Sequence, residues 1–246
     1  MVRADSGAGR TALLLIMHKF LVLLLFILPS LRGVAESWQD ALSRMPLSTD
    51  TTQLNRTNCV QVMLNSFQSN ATVKALIFMP GATDEFYMFR RAKANLTNAS
   101  PTLLDAVNAL TNQTLVRATF LPPFLLLHSD EDPLEPLYQI KNDSTLKQLR
   151  QEMFVPHALY YDKDWDYLLP ILKQKLGLKF VPELYSRDSW HFYRHSFAAW
   201  NLNGWETLQA ISMAGKTRFI VKRNLVIFEA DVRVRKLPTI DHYPKD

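Results

Sequence analysis

The chain has 246 residues with 28 Lys or Arg and 23 Asp or Glu, a formal net charge of +5 at pH 7. Residues 1–35 contain four basic residues and one acidic residue, so the rest, with 24 basic and 22 acidic side chains, is nearly neutral. Near neutrality without a basic run argues against nucleic-acid binding. The single cysteine, Cys59, excludes an intramolecular disulfide, so burial must hold a chain that is 48% hydrophobic.

Residues 17–35 predict a cleaved secretory signal peptide. A short head ending in Lys19 precedes an apolar run over 20–28, and Gly33-Val34-Ala35 supplies the small residues that cleavage requires. Residues 1–16 are then an over-extended start. The alternative is a membrane anchor, which needs ~20 apolar residues, whereas Lys19 and a proline interrupt this run.

Export sets the expected compartment. Six Asn-x-Ser/Thr sequons would be glycan sites in a eukaryotic secretory pathway and silent in a bacterial periplasm. They begin at Asn55, Asn70, Asn95, Asn98, Asn112 and Asn142. Because the chain lacks disulfides and its leader is short, we expect a periplasmic or outer-envelope protein, or a secreted one if the source is eukaryotic.

Residues 36–54 form an N-terminal segment, and residues 55–128 predict a first α+β repeat. Helical spacing and strand-like runs define its elements. They are a helix with Val60, Met63, Leu64 and Phe67 on one face, strands over 73–79 and 86–94, a helix capped by Ser100 with Pro101 first, and strands over 115–121 and 124–128.

Residues 129–155 read as a linker with an acidic start and a short helix over 144–153. Residues 156–235 predict a second repeat, and 236–246 a tail. The repeat's elements are a strand over 157–161, a helix regular from Tyr167 and ended by Gly177, strands over 178–182 and 190–202, a helix capped by Asn203 and Glu206, and a hairpin over 217–222 and 225–234.

The two repeats match in element order and length. At an offset of 104 residues, Leu104 matches Leu208 and Ala106 matches Ala210. We therefore predict an α+β fold of two tandem, small, two-layer modules of β-α-β-β-α-β-β order after a signal peptide.

This order resembles the short N-terminal domain of secretins and TonB-dependent receptors. The features that carry the likeness are Tyr160-Tyr161-Asp162, the helix over 168–177, the helix containing Leu208-Gln209-Ala210-Ile211, and the hairpin over 218–228. The resemblance covers 156–235 best and 55–128 more faintly. It implies a periplasmic protein–protein interaction module and transfers no catalytic residue.

Motifs for chemistry are sparse. His191 and His195 lie on a strand-like stretch, where a four-residue spacing spans ~13 Å and is too long for two ligands of one zinc. Asp162, Asp164 and Asp166 imitate the start of a calcium loop, but the required Gly and Glu are replaced by Tyr167 and Lys173. The aspartates fit a helix N-terminus instead. We expect no metal or cofactor.

Two further features are candidates for function. Cys59 starts a predicted helix, where a thiolate is favoured, but no recognisable signature places a base beside it. The aromatic strand over 190–202 offers a surface for a partner through Trp190, Phe192, Tyr193 and Trp200. We predict a non-enzymatic interaction module that binds an unknown envelope protein. The alternatives are a small secreted hydrolase or thiol enzyme and a membrane-anchored structural protein.

Overall fold

A computed structural model describes residues 36–47, 59–68, 72–79, 92–128, 135–141, 143–151, 154–155, 158–163, 165–183 and 195–231. The chain divides into a short unit, Met1–Ser37, and a compact unit, Trp38–Asp246. Every helix and strand below belongs to the compact unit. Among the described residues, no helix is long and apolar enough to cross a membrane.

The described residues form six helices and eleven strands. The helices are α1 (Trp38–Ser43), α2 (Cys59–Ser66), α3 (Leu103–Gln113), α4 (Asp143–Gln151), α5 (Trp165–Leu176) and α6 (Gly204–Ala214). The strands are β1 (Ala75–Phe78), β2 (Arg117–Leu121), β3 (Phe124–His128), β4 (Tyr138–Ile140), β5 (Phe154–Val155), β6 (Ala158–Lys163), β7 (Lys179–Glu183), β8 (His195–Ala199), β9 (Leu202–Asn203), β10 (Thr217–Lys222) and β11 (Leu225–Ala230).

The strands build two main sheets. The five-stranded sheet has the order β2-β3-β1-β8-β6, and the four-stranded sheet has the order β4-β10-β11-β7. In the first, only β1 and β3 are parallel. In the second, the β10–β11 hairpin is antiparallel, and β4 and β7 flank it in parallel. This mixture of helices and sheets confirms the predicted α+β class.

Alternation along the strands of the five-stranded sheet separates two cores. Leu76, Phe78 and Leu125 point toward α1, α2 and α3. Ala75 and Ile77 point to the opposite side, where they join residues of α5, α6 and the inner face of the four-stranded sheet. The five-stranded sheet is therefore covered on both faces.

Helix α6 lies between the two sheets. It contacts β1 and β8 on one side and β10 on the other, and nine of its eleven residues are buried. Burial on nearly every side places this helix in the core rather than at the surface. Asn203 and Glu206 form the predicted capping box: the Glu206 amide donates to Asn203 Oδ1 at 2.8 Å, and the Asn203 amide donates to Glu206 Oε2 at 2.9 Å.

Several predicted boundaries need correction. Helix α3 is capped by Thr102 rather than Ser100, because Thr102 and Asp105 form a reciprocal capping box and leave Pro101 outside the helix. Helix α5 begins at Trp165 rather than Tyr167, and Pro170 lies inside it.

The aromatic strand and the linker also differ from prediction. The described part of 190–202 is not one strand but β8 and β9, separated by a turn at Asn201 with φ of 50°. The predicted strand over 86–94 has no strand within its described part, 92–94. The segment predicted to be a linker contributes β4 to the four-stranded sheet, and the helix predicted there is α4.

The predicted order of two separate tandem modules is not confirmed. Strand β8 of the second half pairs with β1 of the first half, with Leu76 opposite Ala198, so one sheet contains strands from both halves. Both halves do contain a helix followed by a hairpin whose second strand lies parallel to an earlier strand, β3 beside β1 and β11 beside β7. The helix caps Thr102 and Asn203 are 101 residues apart rather than 104.

Candidate functional site

Three of the four predicted partner-binding residues, Trp190, Phe192 and Tyr193, lie outside the described residues. Trp200 follows β8 directly and is partly buried, and its amide donates to the Lys74 carbonyl at 2.9 Å. Cys59 is the first residue of α2, as the sequence predicts. The Cys59 side chain lies outside the described part.

His195 lies on strand β8, as the spacing argument required, and is completely buried. Its Nδ1 is 3.0 Å from the Lys163 carbonyl oxygen, and its ring contacts Trp165 edge to face with centroids 4.6 Å apart. His191 lies outside the described residues. Asp166 occupies the first turn of α5, which agrees with the helix N-terminus interpretation. Within the described ranges, no group of three His, Cys, Asp or Glu could hold a metal ion.

A small pocket lies where α6 ends and β10 begins. Its empty volume is about 190 Å³, and it is open to solvent. Glu135, Lys216 and Asp231 bring charge to its wall, and the last two are buried. The Ser212 hydroxyl in this wall donates its one proton to the Thr217 carbonyl and so joins the helix end to the strand.

The edges of the sheets differ in what they offer to a partner. Strand β4 is one edge of the four-stranded sheet. The Phe219 amide donates to the Leu137 carbonyl at 3.1 Å, and the Lys141 amide donates to the Val221 carbonyl at 2.8 Å. Because main-chain groups alternate along a strand, Tyr138 and Ile140 direct their N–H and C=O groups away from β10. Four main-chain groups therefore face outward, and no described residue pairs with them.

The opposite edge, β7, is protected. The Lys179 amide donates toward β11, to the Asn224 carbonyl at 2.8 Å. By alternation, Phe180 and Pro182 face outward, and proline has no N–H to donate. Proline at such a position is a recognised protection against unwanted strand pairing. Strand β6, at the edge of the other sheet, has a register shift between Tyr160 and Lys163 that disturbs that edge as well.

Strand β2 is a second edge that no described strand covers. The Lys74 amide donates to the Pro123 carbonyl and the Met79 amide to the Leu127 carbonyl, so odd-numbered residues of β3 face β1. The even-numbered residues of β3 then face β2, which leaves Ala118 and Phe120 with outward main-chain groups within the described part of the chain.

Exposed apolar side chains concentrate at these edges. Tyr138 in β4 is 47% exposed, Val181 in β7 is 38% exposed, and Leu115, two residues before β2, is 80% exposed. Together with Tyr167 on α5, at 46%, they are the large hydrophobic residues most exposed among the described residues. Apolar side chains beside an unpaired edge are typical of places where an extended segment binds.

The β4 edge carries an aromatic and basic surface. The Tyr138 ring contacts Trp205 edge to face at 4.8 Å and stacks on Phe219 at 5.8 Å. The guanidinium of Arg150 lies 5.6 Å from the centre of the Trp205 ring. We call Tyr138, Trp205 and Arg150 the β4 ledge.

No protein-family model, no curated protein and no solved structure matches the chain. The candidate site therefore depends on the geometry alone.

Sequence reasoning did not find the β4 ledge. Residues 138–140 have only three positions in which to show strand alternation, and they lie in a segment whose acidic, proline-containing start is typical of a linker. Tyr138 and Ile140, which flank Gln139, could have indicated a strand here, because aromatic and β-branched residues favour strands.

Proposed function

We propose that the protein is an exported, non-enzymatic interaction module that binds an extended segment of an envelope or secreted protein by strand addition. The observation that carries this proposal is that, within the described part of the chain, each main sheet has one edge strand, β2 or β4, whose outward main-chain groups are unpaired, with an exposed apolar side chain beside it. Main-chain hydrogen bonds to an edge supply affinity, and alternate side chains supply selectivity.

The contrast between edges supports the proposal. At β7 a proline removes an outward donor, and at β6 a register shift disturbs the ladder, whereas β2 and β4 have neither feature. The resemblance to the N-terminal domains of secretins and TonB-dependent receptors points to the same kind of function. The signal peptide over 17–35 supplies the proposed route to the envelope.

The test blocks both edges at once. Ala118→Pro and Ile140→Pro each remove an N–H that faces outward and leave the ladder bonds of the neighbouring residues intact. We expect the double variant to lose capture of partner proteins from the envelope or secreted fraction of the source organism. The matched control, Ala118→Val with Ile140→Val, retains both N–H groups and should retain capture.

Unfolding curves of both double variants check that the fold is kept. Equal capture by a folded double-proline variant and by the valine control would contradict strand addition. An enzyme, the alternative from the sequence, would instead show turnover that neither pair of substitutions changes.

A further inference from the structure

The β4 ledge differs from the β2 edge in its charge. Arg150 is exposed, and its guanidinium contacts an aromatic ring without an ion pair to any described residue. Lys147, one turn earlier on α4, is also exposed, and Lys141 follows β4 directly. Asp143 lies at the opposite end of the helix from Arg150, about 10 Å away along its axis. Exposed Glu135 before β4 and Asp143, four residues before Lys147, offset part of this charge, so Arg150 on the Trp205 ring is the cation that the geometry places beside Tyr138.

An added strand would bring its side chains onto this surface. It would run about 4.8 Å beyond β4, with every second side chain on the same sheet face as Tyr138 and Ile140. A side chain opposite Tyr138 would have its Cβ about 5 Å away, within range for aromatic contact. Tyr138 and Arg150 both contact the Trp205 ring, and the next side chain on that face lies roughly 7 Å further along the strand, so we place the acidic residue there to meet Arg150.

We infer that the β4 edge binds an extended segment in which an aromatic or large aliphatic residue and an acidic residue alternate on one face. This inference rests on the proposed function and specifies its partner. The four outward main-chain groups of Tyr138 and Ile140 fix the strand, the Tyr138 ring selects the apolar residue, and Arg150 selects the carboxylate.

Charge also separates this partner from a second copy of the chain. Strand β4 is Tyr138-Gln139-Ile140 and contains no carboxylate, so a second copy pairing through this strand would offer none to Arg150. An acidic segment supplies one.

The experiment measures peptide binding to the purified full chain by fluorescence anisotropy. The probe is an acetylated, amidated heptapeptide, Thr-Phe-Thr-Glu-Thr-Phe-Thr, with a dye at one end, and its control replaces Glu with Lys. We expect the Glu peptide to bind saturably and the Lys peptide to bind at least three-fold more weakly. Arg150→Glu should reverse that preference, because it turns an attraction into a repulsion.

A second pair of variants tests the main-chain contacts. Ile140→Pro should weaken binding of the Glu peptide about five-fold to ten-fold, since one outward N–H is lost, and Ile140→Val should leave it within two-fold. If Ile140→Pro does not fold, the charge reversal at Arg150 and the matching Lys peptide still decide the question, because surface charge substitutions leave the core intact.

Three results would overturn the inference. The first is a peptide preference that Arg150→Glu does not change. The second is loss of peptide binding in Ala118→Pro but not in Ile140→Pro, which places the partner on β2 and leaves the proposed function standing. The third is concentration-dependent dimerisation that Ile140→Pro abolishes, which assigns the edge to a second copy. Failure of the proposed function itself appears separately, as capture that survives blocking of both edges.

Discussion

A side chain at Gly215 would begin 2.3 Å from Nε2 of His195. Gly215 follows α6, and His195 lies on β8, so the end of the central helix meets the five-stranded sheet at a point with no space for a methyl group. His195 cannot move away easily, because its Nδ1 is 3.0 Å from the Lys163 carbonyl and its ring packs on Trp165.

We therefore expect Gly215→Ala to lower the free energy of unfolding by about 1–3 kcal/mol, the usual effect of overpacking. Urea denaturation measures this. In a His195→Ala background the same substitution should have little further effect, since the clashing ring is gone. An equal loss in both backgrounds would show that the clash is not the cause.

Gly177 provides a contrasting glycine. Nothing lies within 4 Å of a side chain added there, but its φ is 63°. Gly177→Ala should therefore lower stability through backbone strain alone, by about 1 kcal/mol, and the His195→Ala background should not change that value.

Two buried threonines allow a second comparison. Thr217 in β10 is 2% exposed, and its Oγ1 has no hydrogen-bond partner among the described residues. Thr207 in α6 is 3% exposed, and its Oγ1 donates to the Asn203 carbonyl at 2.8 Å. An unpaired buried hydroxyl is unfavourable, whereas a paired one stabilises the fold.

Thr217→Val should thus leave the protein as stable or raise its free energy of unfolding by up to about 1 kcal/mol. Thr207→Val, the same chemical change, should lower it by about 1 kcal/mol. Thermal and chemical unfolding of the two variants decide the matter. A clear loss of stability in Thr217→Val would indicate that the hydroxyl has a partner in solution.

An ion pair joins the two halves of the sequence. Lys74 precedes β1, and its Nζ is 2.9 Å from Oε1 of Glu206, which also caps α6. A double-mutant cycle with Lys74→Met and Glu206→Gln should give a coupling energy of about 0.5–1 kcal/mol, because both side chains are mostly but not fully buried. The coupling energy should decrease in high salt. A coupling energy of zero at low salt would show that the ion pair does not stabilise the fold.

Export is tested on the natural product. The mature N-terminus should be Glu36, directly after Gly33-Val34-Ala35. Mass spectrometry of the protein isolated from its source measures this. Retention of residues 20–28 would contradict cleavage and favour the membrane anchor.

Structural features that depend on residues close together in the chain could be predicted from the sequence. The capping box of Asn203 and Glu206, the helix end at Gly177 and the two hairpins were all predicted and are all present. Each depends on residues within about ten positions of one another. Where two local signals competed, as between Ser100-Pro101 and Thr102-Asp105, the pair that forms two reciprocal bonds determined the helix start.

Long-range pairing did not follow from the sequence. The sequences of β1 and β8 do not identify these strands as partners or place Leu76 opposite Ala198. Many other pairs of apolar strands would show the same pattern of buried residues. The β4 ledge was missed for the same reason. Tyr138 gains its significance from Trp205, which is distant in sequence, and from its position at a sheet edge.

The pairing of β1 with β8 has a consequence for biogenesis. Ala75 and Ala199 are register partners, so the first-half sheet lacks a central neighbour until residue 199 has been synthesised. At ~5–20 residues per second, that interval lasts on the order of ten seconds. During it, the newly made chain presents an incomplete apolar sheet to its surroundings. A nascent chain of this kind is a natural client for a holding chaperone, and a fragment that stops before β8 should be degraded or aggregate instead of accumulating as a folded half.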